Sequence, residues 1–144
     1  MKSSAIRERV RWADVDAAGI IYFGAYARFI DIAESEFMRA LGYTFATLES
    51  LGITLPRVHV EFDFFKPAKL DDEMTLETRV AGVGVHSVRY KFAISRESDD
   101  ALLAEATVVV ACVERTTLKS CPLPAELART LRERIEPAVP APMA

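Results

Sequence analysis

Trp12-Ala13-Asp14-Val15-Asp16-Ala17-Ala18-Gly19-Ile20-Ile21-Tyr22-Phe23 is a polar turn with an apolar exit, and the chain changes period across it. Before it, Ile6, Glu8 and Val10 alternate with Arg7, Arg9 and Arg11, and Trp12 follows, which reads as a short strand with one wet face. After it, Tyr26, Phe29, Ile30, Ala33, Phe37, Ala40 and Leu41 fall on one arc at helical spacing, with Arg28, Asp31, Ser35 and Arg39 opposite. This predicts a helix from Phe23 to Leu41, stopped by Gly42 and roughly 28 Å long at ~1.5 Å per residue. Such a helix can run the length of a small sheet.

Further on, period two takes over. A short helix fits Thr44 to Leu51, with Gly52 as its stop. Val58, Val60, Phe62 and Phe64 then alternate with polar residues until Lys66-Pro67-Ala68-Lys69 turns the chain. Met74 to Val80 and Val88 to Ile94 alternate likewise, and Leu102 to Glu114 is nearly apolar on both faces, which places it centrally in a sheet. A terminal helix fits Ala125 to Ile135. The order is strand, long helix, then four strands joined by short connections, which predicts an α+β domain whose five or so antiparallel strands pack on one helix. Residues 1–136 read as a single domain and 137–144, with three prolines, as a flexible tail.

Composition narrows the functional classes. A formal charge of -3 gives no whole-molecule attraction to nucleic acid, so an anionic ligand needs local basic residues. No stretch approaches ~18 apolar residues, so no membrane partner is expected, and two cysteines without metal-ligand spacing suit a reducing, cytoplasmic setting. Cys112 reads as core and Cys121 as an incidental thiol. His59 and His86 are isolated, and no nucleophile elbow, phosphate-cradling loop or dinucleotide fingerprint is present. No metal site is expected.

What remains is the loop itself. A carboxylate shortly before a helix start stands near free backbone N–H groups, so one segment can offer both a base or nucleophile and an oxyanion donor. Asp14 and Asp16 also suit plain turn and capping duty. Glu34 lies near the apolar arc and is placed to line a buried pocket.

The segment resembles the motif of the 4-hydroxybenzoyl-CoA thioesterase family of hot-dog proteins: an aromatic, Asp-x-Asp-x-x-Gly, a β-branched pair and two aromatic-type positions. Here these are Trp12, Asp14, Asp16, Gly19, Ile20, Ile21, Tyr22 and Phe23, followed by Tyr26. Val60-Glu61-Phe62 and Lys66-Pro67-Ala68 extend the similarity, which covers most of the chain before Pro122. The resemblance implies a hot-dog fold, with the sheet wrapped around the central helix, and acyl-CoA thioester hydrolysis without a cofactor. It implies Asp16 as catalytic carboxylate and the Phe23 backbone N–H as oxyanion donor, with Gly19, Tyr22 and Tyr26 at the substrate. Some aryl-CoA members place an acidic residue where Asp31 stands, near the acyl group. Many relatives have histidine where this chain has Phe23, which ranks aryl esters ahead of short or medium aliphatic ones. Coenzyme A phosphates need a basic rim, for which Lys66 and Lys69 in the turn, Arg89 and Lys91 on one strand face, and Arg115 and Lys119 after the last strand are candidates. A homodimer or homotetramer is implied. The alternative is a non-catalytic acyl-thioester binding module in which Asp16 only orients the ligand; a hot-dog hydratase would need a histidine that the motif segment lacks.

Overall fold

Residues 4–135 are described by the structure, a computed structural model. Strand β1 (Ser4–Arg9) leads through a 3-10 turn (Trp12–Asp14) and the loop to α1 (Ala25–Ala40), then α2 (Phe45–Ser50), β2 (Ile53–Thr54), β3 (Arg57–Phe64), β4 (Glu73–Val83), β5 (Ser87–Arg96), β6 (Leu102–Ala111), β7 (Val113–Glu114) and α3 (Ala125–Glu133). Five strands form one sheet in the order β1-β4-β5-β6-β3, antiparallel at every pairing, and β2 pairs with β7 in a small ribbon.

Alternation sets which sheet face is dry. Met74, Leu76, Val80, Val88, Tyr90, Phe92, Ile94, Ala104, Ala106, Val108 and Val110 are buried. Arg79, Arg89, Lys91 and Glu105, on the other phase, are exposed. The dry face takes the apolar arc of α1, where Ala25, Tyr26, Phe29, Ile30, Ala33, Phe37 and Met38 are buried. Each fully covered large side chain there contributes roughly 2 kcal/mol. Gly42, at φ 92, supplies the left-handed residue that ends the helix, where its N–H donates to Arg39 O. The terminal helix lays Leu127, Ala128 and Leu131 into the same core.

Several boundaries differ from the sequence expectation. The first strand stops at Arg9, and Trp12 is 81% exposed on the 3-10 turn. The long helix starts at Ala25, because Tyr22 O and Phe23 O accept from Ala25 N–H and Tyr26 N–H in a turn ahead of it. The last long strand breaks before Cys112, which is where β7 leaves for the ribbon; β6 is interior, but β5 is the middle strand. The 137–144 tail lies outside the described residues. The largest departure is β3, whose alternation predicts one buried face: it is an edge strand, with Val58 62% and Val60 46% exposed and only Phe62 half-buried.

Candidate active site

The loop between β1 and α1 folds back on itself. Val15 bridges Ile21, Asp16 N–H donates to Ile20 O and Tyr22 N–H donates to Asp14 O, so residues 16–20 form the tip of a narrow arch. The arch is pinned to the turn after β3: Ile21 N–H donates to Ala68 O at 2.9 Å, and Leu70 N–H donates to Gly19 O at 3.1 Å. Gly19 takes φ 75 there, a conformation costly for other residues. Tertiary pairing thus brings the Lys66–Lys69 turn to the loop. Gly24 leaves room for the Tyr22 ring: a Cβ there would come within 2.9 Å of it and push that exposed side chain aside.

The two loop carboxylates have opposite surroundings. Asp14 is buried and takes a bidentate ion pair from Arg28, Nε to Oδ1 at 3.0 Å and Nη2 to Oδ2 at 2.6 Å, while Arg11 N–H also donates to Oδ2. Asp16 is exposed. Its Oδ1 accepts from Ala18 N–H at 2.8 Å and Ile20 N–H at 3.4 Å, and its Oδ2 has no partner among the described residues. The backbone N–H groups of Phe23 and Gly24 likewise donate to nothing among the described residues, since the helix ladder begins one residue later. Free donors at this end carry the positive end of the α1 dipole. The segment therefore offers an unencumbered carboxylate oxygen and unencumbered amide donors, the two things an acyl-transfer site requires.

Beside these donors lies a cavity of about 300 Å³ lined by Ile21, Phe23, Tyr26, Phe64, Phe65 and Lys66 with Pro67. Tyr26 tilts onto Phe64 at 5.1 Å between ring centroids, and Phe62 stacks on Phe64 at 5.6 Å, giving one aromatic wall. Burial holds the Tyr26 phenol above its usual range, so it stays protonated. Tyr22 and Lys69 are exposed and stand outside this lining.

A second group of acids sits farther along α1. Arg57 Nη2 reaches Asp31 Oδ1 at 3.1 Å and Glu34 Oε2 at 2.8 Å. Asp31 is exposed and lines neither this cavity nor the one beside Glu34. Glu34 is largely buried; that burial raises its carboxyl above the ordinary value, with Arg57 opposing and Asp31 adding to the rise. The helical arc placed Glu34 inward, but Arg28 and Arg57 carried no sequence signal, since each finds its acid only through the fold. Among the described residues no cluster of three or more His, Cys, Asp and Glu side chains is arranged to hold a metal ion. Cys112 and Cys121 approach to 3.6 Å between sulfurs, and burial pushes the Cys112 thiol up to about 12. No helix among the described residues is long and apolar enough to cross a membrane.

Known proteins similar to this chain include acyl-CoA thioesterases. An acyl-CoA thioesterase from Haemophilus influenzae is 32% identical to this chain over 120 residues, 83% of this chain and 87% of its own. A 1,4-dihydroxy-2-naphthoyl-CoA hydrolase from Synechocystis is 27% identical across 86% of this chain and 91% of its own. The crystal structure of a Synechocystis 1,4-dihydroxy-2-naphthoyl-CoA thioesterase superposes with a TM-score of 0.83 and 25% identity, covering 91% of this chain and 96% of that one. Residues 10–131 match the thioesterase-like superfamily as a whole, and with the five-stranded sheet wrapped on α1 the chain belongs to that hot-dog family.

Proposed function

We infer that this protein hydrolyses an acyl-CoA thioester to the free acid and coenzyme A, with Asp16 engaging the carbonyl carbon and the Phe23 N–H holding the oxyanion. The observation that carries this reading is the pairing, on one pinned loop, of a carboxylate with a free oxygen and amide donors without acceptors. Asp16 acts in one of two ways. As nucleophile, its oxygen bonds to the carbonyl carbon, the C–S bond breaks, and water then hydrolyses the mixed anhydride. As base, it takes a proton from water, whose oxygen adds to the carbon instead. In both, the sulfur leaves as thiolate and acquires a proton from solvent.

The aromatic cavity suits an aryl acyl group first and a short or medium chain second. Tyr26 and Phe64 form its wall, Gly19 and Tyr22 hold the loop's shape, and Lys66 with Lys69 meets the phosphates. Asp31 enters only through Arg57. A panel of aryl, short and long acyl-CoAs, read by thiol release, tests the reading. Turnover of an aryl or short ester is expected; tight binding of one ester with no turnover of any would make the chain a binding module.

The active unit is at least a homodimer formed through β3 and working in the cytoplasm, and residues 1–136 act as its single domain. An eight-residue edge strand that exposes Val58, Val60 and Phe64 beside unpaired backbone groups invites a second copy. Sedimentation at assay concentration should give at least twice the 16.0 kDa chain mass. A Val60→Lys chain should associate about tenfold more weakly or worse, since each copy then brings a charge to an edge that pairing would cover. Monomeric parent protein would remove this part of the reading.

A further inference from the structure

Glu34 presents an unmet demand. Its Oε2 is held by Arg57, but Oε1 is buried and has no hydrogen-bond partner. A buried acceptor left unpaired is costly, so such groups mark a place where something else binds. Beside it is a cavity of about 240 Å³ whose lining includes Met38, Tyr43, Leu48, Leu55 and Tyr90 as well as Glu34. One water would meet the oxygen's need yet fill only about 30 Å³ of a space that is apolar along Met38, Leu48 and Leu55 and polar along Ser35, Arg39, Thr44 and Thr54. Tyr90 supplies a donor to match. Its O–H points at the Met38 sulfur, 3.4 Å away, a weak acceptor that a ligand oxygen would readily replace. Burial, with Glu34 adding to it, keeps that phenol protonated.

We propose that this cavity receives a hydroxyl-bearing apolar group about one ring in size, whose O–H donates to Glu34 Oε1 and whose oxygen accepts from the Tyr90 O–H. A neutral ligand fits better than a cation, because Arg57 already balances the Glu34 charge and Asp31 is out in solvent. A hydroxyl also serves whether Glu34 is ionised or protonated, since it can donate to the first and accept from the second.

The group has two possible sources, the far end of the acyl chain or a free hydroxylated molecule; the first rests on the thioesterase reading and the second does not. Tyr26 and Glu34 are eight residues apart on α1, ~12 Å along its axis. A single ring held at Phe23 therefore stops short of the cavity in its own chain. A longer acyl group spans the distance.

The test uses matched probes that differ by one hydroxyl: 4-hydroxybenzoyl-CoA against benzoyl-CoA, 8-hydroxyoctanoyl-CoA against octanoyl-CoA, and free p-cresol against toluene. In the first two pairs kcat/KM is read, in the third the dissociation constant. The wild-type chain should favour the hydroxyl member of at least one pair by about tenfold or more, the size of one hydrogen bond to a charged acceptor. Glu34→Met should abolish that ratio. Leu48→Trp, which fills the cavity while keeping the Glu34 carboxyl, should reduce it too and serves if the first variant folds poorly. A ratio in an ester pair assigns the ligand to the substrate, and a ratio for p-cresol alone assigns it to a separate molecule. No hydroxyl preference in any pair, or one that survives both substitutions, overturns the proposal. Failure of every ester to release thiol counts against the thioesterase reading instead, and leaves the p-cresol arm decisive here.

Discussion

Two pairs of acidic side chains flank the first half of α1, and each pair has one buried member and one exposed member. In the loop, buried Asp14 is fully satisfied by Arg28 and the Arg11 N–H, while exposed Asp16 keeps a free oxygen. On the helix the pattern inverts: exposed Asp31 shares Arg57, and buried Glu34 keeps the oxygen without a partner. Burial alone therefore says little about which acid acts. Unspent hydrogen-bonding capacity says more, and it singles out Asp16 in water and Glu34 in the interior.

The comparison breaks most visibly at Arg28. Arg28→Ala leaves Asp14 buried without its cation and should cost about 3 kcal/mol of unfolding free energy, the low end for a broken buried pair because the Arg11 N–H still donates. Urea unfolding measures it; a loss under 1 kcal/mol would mean that Asp14 is hydrated and that its satisfaction was overstated. Asp16→Asn should do the reverse. It should lower kcat at least ~10²-fold, the usual loss for a positioned acid–base group, while shifting stability by no more than about 0.5 kcal/mol. Equal turnover by this variant and the parent would remove Asp16 from the chemistry.

Which parts were legible in the sequence follows from the same logic. Period two in β4 and β5 and the apolar arc of α1 are local patterns with one physical reading, so sheet, helix and their facing came through. The Asp16 loop is marked in the sequence by its motif alone, with no periodicity to place it. Arg28 has no such mark: on a helical wheel it joins Asp31 and Ser35 on the wet arc, and only the arch folded beside α1 gives it Asp14. Arg57 opens a strand and meets Glu34 across the gap to α1, another contact without sequence spacing. The helix begins two residues later than its spacing predicts because Phe23 and Gly24 make the tight turn that frees their N–H groups. The β3 alternation predicts a buried face that the chain leaves exposed, because period two reports which residues share a face and not whether anything covers it.

Glu34 also predicts a pH dependence with a definite sign. Its carboxyl is raised above the ordinary 4.5, mainly by burial, with Asp31 raising it further and Arg57 lowering it; Tyr90 faces it from β5 and stays neutral. Between 4.5 and the raised folded value the unfolded chain has lost its proton and the native chain has kept it. The native state then binds more protons, so stability falls as pH rises through this window and levels off above it. Glu34→Gln removes the contribution. The stability difference between variant and parent should thus rise in the variant's favour across the window, read by urea unfolding at closely spaced pH values. A flat difference, or one of opposite slope, would mean that Arg57 outweighs burial.

The smallest effect is expected at Asp31, and it sharpens the contrast on the helix. Its carboxylate is 61% exposed and shares an arginine that Glu34 holds more closely, 2.8 Å against 3.1 Å. Exposed ion pairs of this kind contribute roughly 0 to 1 kcal/mol because water screens the charges and two long side chains lose freedom. Asp31→Asn should therefore change unfolding free energy by about 0.5 kcal/mol or less. It should also leave the ratio between hydroxylated and unhydroxylated probes within about twofold, since an Asn at 31 alters nothing that lines the cavity. If Asp31→Asn erased that ratio while Glu34→Met kept it, the reader of the ligand's hydroxyl would be the exposed acid, and the argument from unspent hydrogen-bonding capacity would fail at the site where it is most specific.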